Sequence, residues 1–589
     1  MNISKGRIYV VIFFVLIVFS AIIWRLYAVQ IRDIYGFCDR YYRYKPNRQI
    51  IPADRGIIYD RNGIPLAGNE KTFTLQFCPS IMDCAQADSL SAEDSLQIYR
   101  WIASAISEST SADFNVIYNR LKKFSHDYPN GFELIRDVDV LQKNSIKSTL
   151  AKNKVNGLQE FKQKSKRIYP KEELAGAVIG LYKEEEAKCG IEYVFDDDLS
   201  GEDGWYEFIR YATGEKYRTT DMKEKKQIPG NSVYLTIDSH VQTILEKYLK
   251  EGLIETKSKH ALGIIVSVTS GDILGISGIS ADYLNVSTHA SHSIPLYPVS
   301  WLFEPGSIVK PIVMLMALEE NKFAHDHIFD CNTRWIGKRK IVDVKELDDL
   351  TMKGVIAHSS NVGMSYIADE LSDEYIHDRL MDFGFGHKTG ILLTGEQSGV
   401  VPKTSQWSGF TKHSLAFGQE ISVTAIQMVY AYAAIANGGK MLQPRILEKV
   451  TDYQGNLIHE PQKKIIREMS NKQDLDTLKT YLSAVVTEGH GFVLKDMDIK
   501  IAGKTGTAEK FENGKLKERK YVSSFCGFFP IQNPKFAMLI IMDEPYNENT
   551  THEFGSYTAC PVYKKIVREL IVLPNLDIFE NEDFGYAMN

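Results

Sequence analysis

The strongest pattern in the chain comes first. Ile8–Trp24 reads IYVVIFFVLIVFSAIIW, 17 residues without a charge, which as a helix spans roughly 26 Å at about 1.5 Å per residue. The mostly apolar stretch Leu26–Ile31 lengthens it enough to cross a bilayer. A cleaved signal peptide would end in a small-x-small site, but this run ends in Trp24, Arg25, Leu26 and Tyr27. The pattern therefore predicts an uncleaved transmembrane signal-anchor over residues 8–31. Lys5 and Arg7 precede it and Arg25, Arg32 and Asp33 follow, so charge barely decides its orientation.

Later patterns are shorter. Gly56-Ile57-Ile58-Tyr59-Asp60-Arg61-Asn62-Gly63 predicts a strand and a tight turn, with Asn62 and Gly63 at positive φ. Residues 85–165 are polar and helical in texture. Gly190–Gly204 carries an acidic patch between Asp196 and Asp203; its spacing is not that of a calcium loop, so a solvated turn is the expectation. From Asn231 a short strand runs into a helix with Val241, Ile244, Leu245 and Leu249 on one face, which places a boundary near residue 235. Gly263–Ser277 reads as a hairpin turning at Thr269-Ser270-Gly271-Asp272. The last residues, 573–589, are acidic and read as a loose tail.

Composition narrows the classes. The 589 residues are 44% hydrophobic and 24% charged, with 69 Lys and Arg against 75 acids. A net charge of −6 offers no excess of cations to displace counterions from a phosphate backbone, which argues against a nucleic-acid partner. The seven cysteines are scattered without a CxxC, against a structural zinc site or a disulfide scaffold. Cys78 and Cys84 alone are near enough for a local pair, and separate, mostly buried thiols are the expectation. His289/His292 and His325/His327 have ligand-like spacing but no third ligand, so no metal is expected.

Three motifs in the second half carry chemistry. The first, Glu304-Pro305-Gly306-Ser307-Ile308-Val309-Lys310-Pro311, precedes the apolar helix IVMLMALEE. With Ser307 at the helix start, Lys310 at i+3 shares its face. A serine attacks only if a base removes its proton, and a lysine serves only if burial or a neighbouring cation lowers its pKa. The second is Ser359-Ser360-Asn361. Ser359 suits relay of a proton to a leaving amine, and the Asn361 amide suits a substrate carbonyl or Lys310. The third is Lys504-Thr505-Gly506-Thr507, after an apolar lead and before a second hairpin signal at Glu512–Lys515. Lys504 supplies a second cation that would depress the Lys310 pKa, Gly506 admits a substrate backbone, and the two threonines offer hydroxyls to a carboxylate. Each motif alone also fits a helix cap or strand end. In this order they form the SxxK, SxN, KTG set of penicillin-binding proteins and class A β-lactamases.

With those residues in view, the chain resembles the class B penicillin-binding proteins, the peptidoglycan D,D-transpeptidases, over nearly its full length. The anchor, Arg55–Ala67, Gly190-Ile191-Glu192, Phe383-Gly384-Phe385-Gly386, Gly418–Gln427 and Ala436-Asn437-Gly438-Gly439 extend the likeness. FEPGSIVKP, SSNVG and EQSGVVP look most like the cell-division branch, with the elongation branch as alternative. The resemblance implies an α/β (α+β) transpeptidase fold, a central antiparallel sheet flanked by helices, on an elongated mixed pedestal. It implies a cytoplasmic tail at 1–7, the anchor at 8–31, a pedestal of dimerisation type at 32–235, a transpeptidase domain at 236–572 and the tail at 573–589.

Carried over, it makes Ser307 the acylated nucleophile, Lys310 its base, Ser359 and Asn361 the second motif, and Lys504, Thr505, Gly506 and Thr507 the third. No cofactor is implied. The implied partners are stem peptides, β-lactams, the lipid bilayer, a membrane glycosyltransferase and other division proteins. The implied location is the bacterial inner membrane, single-pass, with the catalytic domain periplasmic. One departure is His490 in Glu488-Gly489-His490-Gly491, where the family often has Gly-Thr-Gly; it reads as neutral for chemistry. A hydrolase with the same triad stays open. A β-lactamase needs a deacylating carboxylate, and Glu396 is the candidate, although Gln397-Ser398-Gly399-Val400 after it looks like a turn. A β-lactam sensor or silent scaffold is the third reading.

Overall fold

The computed structural model describes residues 5–32, 46–82, 92–129, 131–210, 216–284, 294–512, 515–546, 553–574 and 576. The chain packs into two compact units. One comprises Met1–Asp54, Lys71–Lys166 and Gly201–Ile228, the other Arg55–Glu70, Arg167–Ser200 and Pro229–Asn589.

In the first unit the apolar run forms one helix, Lys5–Gln30. Its segment Ile8–Val29 has mean hydropathy 2.5, and from Ile8 to Tyr27 every side chain is exposed. A helix apolar on every face and exposed over that stretch is long and apolar enough to cross a membrane. Elsewhere in this unit Asn47–Ile51 pairs antiparallel with Gly204–Arg210, and Arg48 lies 4.0 Å over the Trp205 ring. The 85–165 stretch supplies the helices Ala92–Ser109, Phe114–Phe124 and Val140–Lys152. Phe73, Leu75 and Phe77 pack with Tyr99, Ile102, Ile106, Leu121 and Ile146 in the unit's core. Asp139 and Gln142 close a capping box on the third helix. Cys78 is buried, its thiol 3.8 Å from Gln159 Oε1. Cys84 lies outside the described residues, as do His289, His292 and the tail beyond residue 576.

The second unit is built on a five-stranded antiparallel sheet. Its strands are β1 (His260–Ser267), β2 (Ile273–Ser280), β3 (Ala502–Glu512), β4 (Lys515–Phe529) and β5 (Phe536–Asp543), in the order β2-β1-β5-β4-β3. The expected hairpin is β1 and β2, turning at Gly271 with φ 75. Strands β1 and β5 are apolar on both faces because helices cover both. Leu262, Ile264 and Val266 belong to one core with Leu539 and Ile541. Ala261, Ile265, Met538 and Ile540 belong to another. The period of two along each strand thus feeds two cores. On the second face lie α1 (Ser239–Glu255) and α2 (Ala559–Leu570), which contribute Leu245, Leu249, Tyr563 and Ile566. On the first lies the fully buried helix Ala425–Ala436.

Two features of the early sequence belong to this second unit. Strand Ile58–Tyr59 pairs in parallel with Ser232–Leu235. In the turn after it, Asp60 accepts from Asn62 N and Ile64 N at 2.8 Å and from Ser239 Oγ at 2.6 Å, which ties the turn to the start of α1. Of the pair expected at positive φ only Gly63 adopts it (φ 77); the Asp60 carboxylate closes the turn by accepting from the backbone N–H of Asn62 and Ile64. The acidic patch after Gly190 is only partly solvated. Arg55 reaches Glu192 at 2.7 Å and Asp196 at 2.6 Å, and Arg167 reaches Glu192 at 2.6 Å, with Glu192 wholly buried.

Candidate active site

Ser307 sits in the 3-10 turn Gly306–Val309, which leads directly into the helix Lys310–Glu319. From Pro305 to Leu318 it is the one side chain not fully buried. The turn is braced from several sides. Gly306 N donates to Gly418 O at 3.0 Å, Tyr432 Oη donates to Ile308 O at 2.8 Å, and Phe303 and Val423 exchange backbone bonds at 3.0 Å. Gly418, at φ 81, approaches so closely that a Cβ there would fall 2.1 Å from Gly306 O. The GQEISV run therefore acts as the strap that holds the Ser307 turn.

Lys310 lies one helical turn on, fully buried. Its Nζ donates to Ser359 O at 2.6 Å, Ser359 Oγ at 3.2 Å and Asn361 Oδ1 at 2.7 Å. Of the two roles open to the Asn361 amide, the structure places it on Lys310. Ser359 adopts φ 61, a strained conformation for a residue with a Cβ, and its carbonyl is the one bonded to the Lys310 amine. Ser360 caps the helix Asn361–Asp369 by accepting from Gly363 N. Asp343 holds the same helix start. It accepts from Ser360 Oγ at 2.5 Å, from Asn361 N, and from Val362 N at 3.3 Å. The sequence reading missed Asp343, since an acid in a polar loop 18 residues away carries no local signal.

The third motif is on β3, at the edge of the sheet. A Cβ on Gly506 would meet Ile308 Cγ2 at 3.0 Å and Pro305 O at 3.3 Å, and one on Gly306 would meet Ala508 Cβ at 3.1 Å. The strand thus lies flat against the Ser307 turn. Lys504 is fully buried, its amine 3.1 Å from Thr505 O. Thr507 Oγ1 accepts from Gly555 N at 3.2 Å, which leaves its own hydroxyl proton to donate. The edge position leaves alternate N–H groups of β3 without a strand partner, a source of oxyanion donors.

Burial holds the Lys310 amine down at about 7, against a weaker opposing pull from Asp343. Lys504 is pushed well below the ordinary lysine value, first by burial and then by Lys310. Desolvation, and not the second cation expected from the sequence, is what lowers Lys310. His490 is half-buried and pushed down to about 4 by burial, then by Lys504, His358, Lys310 and Lys345. Its place beside both lysines was not expected from the sequence. Glu396 is buried and accepts from Thr389 N and Oγ1, each at 2.6 Å. His325 bonds to Tyr481 Oη at 3.1 Å, and the His327 ring packs on Phe323 and Phe329.

Residues 262–568 match the model of the penicillin-binding protein transpeptidase domain. The chain belongs to that family. Residues 50–235 match the penicillin-binding protein dimerisation domain, and the pair makes this enzyme a class B D,D-transpeptidase. The stage V sporulation protein D of Bacillus subtilis is 28% identical over 89% of this chain and 79% of that protein. The probable peptidoglycan D,D-transpeptidase PenA of Neisseria meningitidis is 26% identical over 96% and 92%. The peptidoglycan D,D-transpeptidase FtsI of Escherichia coli is 26% identical over 90% and 85%. Among solved structures, penicillin binding protein 2X of Streptococcus thermophilus superposes with TM-score 0.72 at 22% identity, covering 92% of this chain and 82% of that one. A peptidoglycan synthetase of Bifidobacterium adolescentis gives 0.66 at 24%, covering 90% and 96%. These likenesses bear out the expected fold.

Proposed function

We propose that this penicillin-binding protein cross-links peptidoglycan stem peptides by a two-step acyl transfer on Ser307. The observation that carries the mechanism is the buried Lys310 amine, bonded to Ser359 and Asn361 one turn beyond a partly exposed serine. Neutral Lys310 takes the Ser307 proton as Ser307 attacks the penultimate D-Ala carbonyl. Ser359, 3.2 Å from the Lys310 amine, passes that proton to the departing D-Ala nitrogen. Backbone N–H groups at Ser307 and on β3 receive the oxyanion. Lys504, Thr505 and Thr507 receive the substrate carboxylate, and Gly506 lets its backbone lie along the strand. The amine of a neighbouring stem peptide then attacks the acyl-enzyme, and the proton path runs in reverse.

The apolar helix Ile8–Val29 anchors the chain in the bacterial cytoplasmic membrane, with the transpeptidase unit outside. FEPGSIVKP and SSNVG support work at the division septum beside a glycosyltransferase. The test is intact mass of the full chain in detergent after fluorescent penicillin, beside Ser307→Ala. A lasting adduct on the parent and none on the variant is expected. Rapid return to the free mass with drug consumed would mean a hydrolase. Depletion in cells is expected to give filaments; round cells would refute the septal role.

A further inference from the structure

Strand β3 carries the third motif but pairs on one side only, with β4. Its other side must stay open for a substrate backbone, so no second strand can fix its position. The β3–β4 register holds from Ala502 to Glu509 and shifts between Glu509 and Phe511, at Lys510. Such irregularities re-aim a side chain. Here Lys510 reaches over β4 to the end of β5, where its Nζ donates to Asp543 Oδ1 and Glu544 Oε1, each at 2.8 Å. The Asp543 side chain is 1% exposed. Its other oxygen, Oδ2, lies 2.9 Å from His260 Nδ1 at the start of β1. Glu544 is also paired with Lys520 of β4. Burial pulls the Lys510 amine down, yet its bonds to Asp543 and Glu544 hold it above the ordinary lysine value. Lys510 is therefore charged, and its charge is committed to the sheet.

The clamp lies on the face of the sheet that carries the nucleophile. Ala508, Val522 and Asp543 form one row across β3, β4 and β5, and a Cβ on Gly306 would meet Ala508 Cβ at 3.1 Å. The Lys510 amine lies 5.8 Å from the centre of the Trp301 ring, which stacks on Phe303 at 5.5 Å just before the Ser307 turn. The His260 ring stands 4.9 Å from Tyr297, the first residue of the short helix Tyr297–Ser300 that leads to Trp301. One side chain thus joins the open edge strand to the centre of the sheet and to the approach to Ser307.

We propose that Lys510 is a positioning residue for the acyl donor: by tying β3 to Asp543 and Glu544 it sets Thr505 and Thr507 where they meet the substrate carboxylate. The inference rests on the transpeptidase reading. Lys510 does not touch the substrate. It acts through the strand, and Thr507 is only three residues away. Without the clamp β3 is held by β4 alone, and the carboxylate site drifts while the Ser307–Lys310 pair stays as it is. Misplacement of a binding group by a fraction of an ångström to an ångström is enough to cost rate.

Benzylpenicillin and its methyl ester are the probes, because only the acid carries the carboxylate. The full chain in detergent is acylated by each well below its Tm, and the acid-to-ester ratio of second-order rate constants is read. Lys510→Met keeps the apolar stem and drops the charge. It is expected to slow the acid about 10-fold and the ester less, so the ratio falls. Lys510→Arg keeps both ion pairs and is expected to restore the ratio. Glu544→Gln weakens one of the two bonds and is expected to lower the ratio in the same direction. The pH inflection near 7 set by Lys310 is expected to stay in every variant. Equal losses for acid and ester, or a lower Tm with an unchanged ratio, make the clamp structural only and overturn the proposal. A ratio unmoved or raised by Glu544→Gln would mean that Lys510 meets the carboxylate itself, which also overturns it. No acylation of the parent by benzylpenicillin overturns the transpeptidase reading instead.

Discussion

A lysine amine at 10.5 is neutral in roughly one molecule in 3,000 at pH 7. Held at about 7, Lys310 is neutral in about half. Burial thus raises the supply of base roughly 1,500-fold, equivalent to about 5 kcal/mol between the two protonation states. Only the neutral amine accepts the Ser307 proton. The acylation rate constant should therefore rise about tenfold per pH unit below 7 and level off above it. The same burial costs stability at neutral pH. The unfolded chain keeps a proton that the folded chain sheds, so between about 7 and 10.5 this group makes stability rise with pH. The assay is timed acylation of the full chain by fluorescent penicillin from pH 5 to 9.5. Lys310→Arg, always charged, should lose at least about 1,000-fold. A rate still climbing at pH 9 would mean an ordinary lysine, and one flat from 5 to 9 would remove Lys310 as the base.

Three further outcomes follow from the packing. Asp343→Asn removes the anion at the start of Asn361–Asp369 and should cost about 1–2 kcal/mol by chemical denaturation. Because Asp343 holds the Lys310 amine up, the inflection of the pH–acylation profile should also move to lower pH; an unmoved inflection would disprove that coupling. Glu192→Ala removes the buried carboxylate shared by Arg55 and Arg167, leaving Arg55 with the Asp196 carboxylate alone, and should lower stability by about 3–5 kcal/mol, read as a drop in Tm, with Glu192→Gln in between. Gly418→Ala drives a Cβ toward Gly306 O. Penicillin acylation measured well below Tm should fall at least about 10-fold; unchanged acylation would mean that the Ser307 turn is not held by this strap.

What the sequence made legible was local. The apolar anchor, the β1–β2 hairpin and the three motifs are each contiguous, and spacing alone marks them. The sheet order was not legible, because β3, β4 and β5 lie more than 200 residues from β1 in the chain and pair by long-range register. The second unit takes up Arg55–Glu70 and Arg167–Ser200 through parallel pairing at Ile58–Tyr59 and a buried Arg–Glu knot, neither of which shows in periodicity. Asp343 and His490 stayed obscure for a related reason. Each is set against residues far away in the chain, and a lone acid or histidine in a loop looks like solvated surface.

The site is locally costly, and its cost explains the scaffold. Two lysines are fully buried, Ser359 is held at φ 61, and Gly306 at φ 54 sets the nucleophile turn. Left to itself the chain would expose the amines and relax Ser359. It is prevented because the helix after Ser307 is buried on every side, from Pro311 to Leu318, and because Tyr432, Gly418 and Asp343 each hold one backbone position. The large apolar core around that helix opposes the desolvation of Lys310. A smaller core would let water reach the amine, return its pKa toward the ordinary value, and lose the base. Core size and catalytic basicity are thus coupled here: cavity-forming changes such as Ile312→Ala should raise the Lys310 inflection before they unfold the chain, visible as a rightward shift of the pH–acylation curve at unchanged secondary structure.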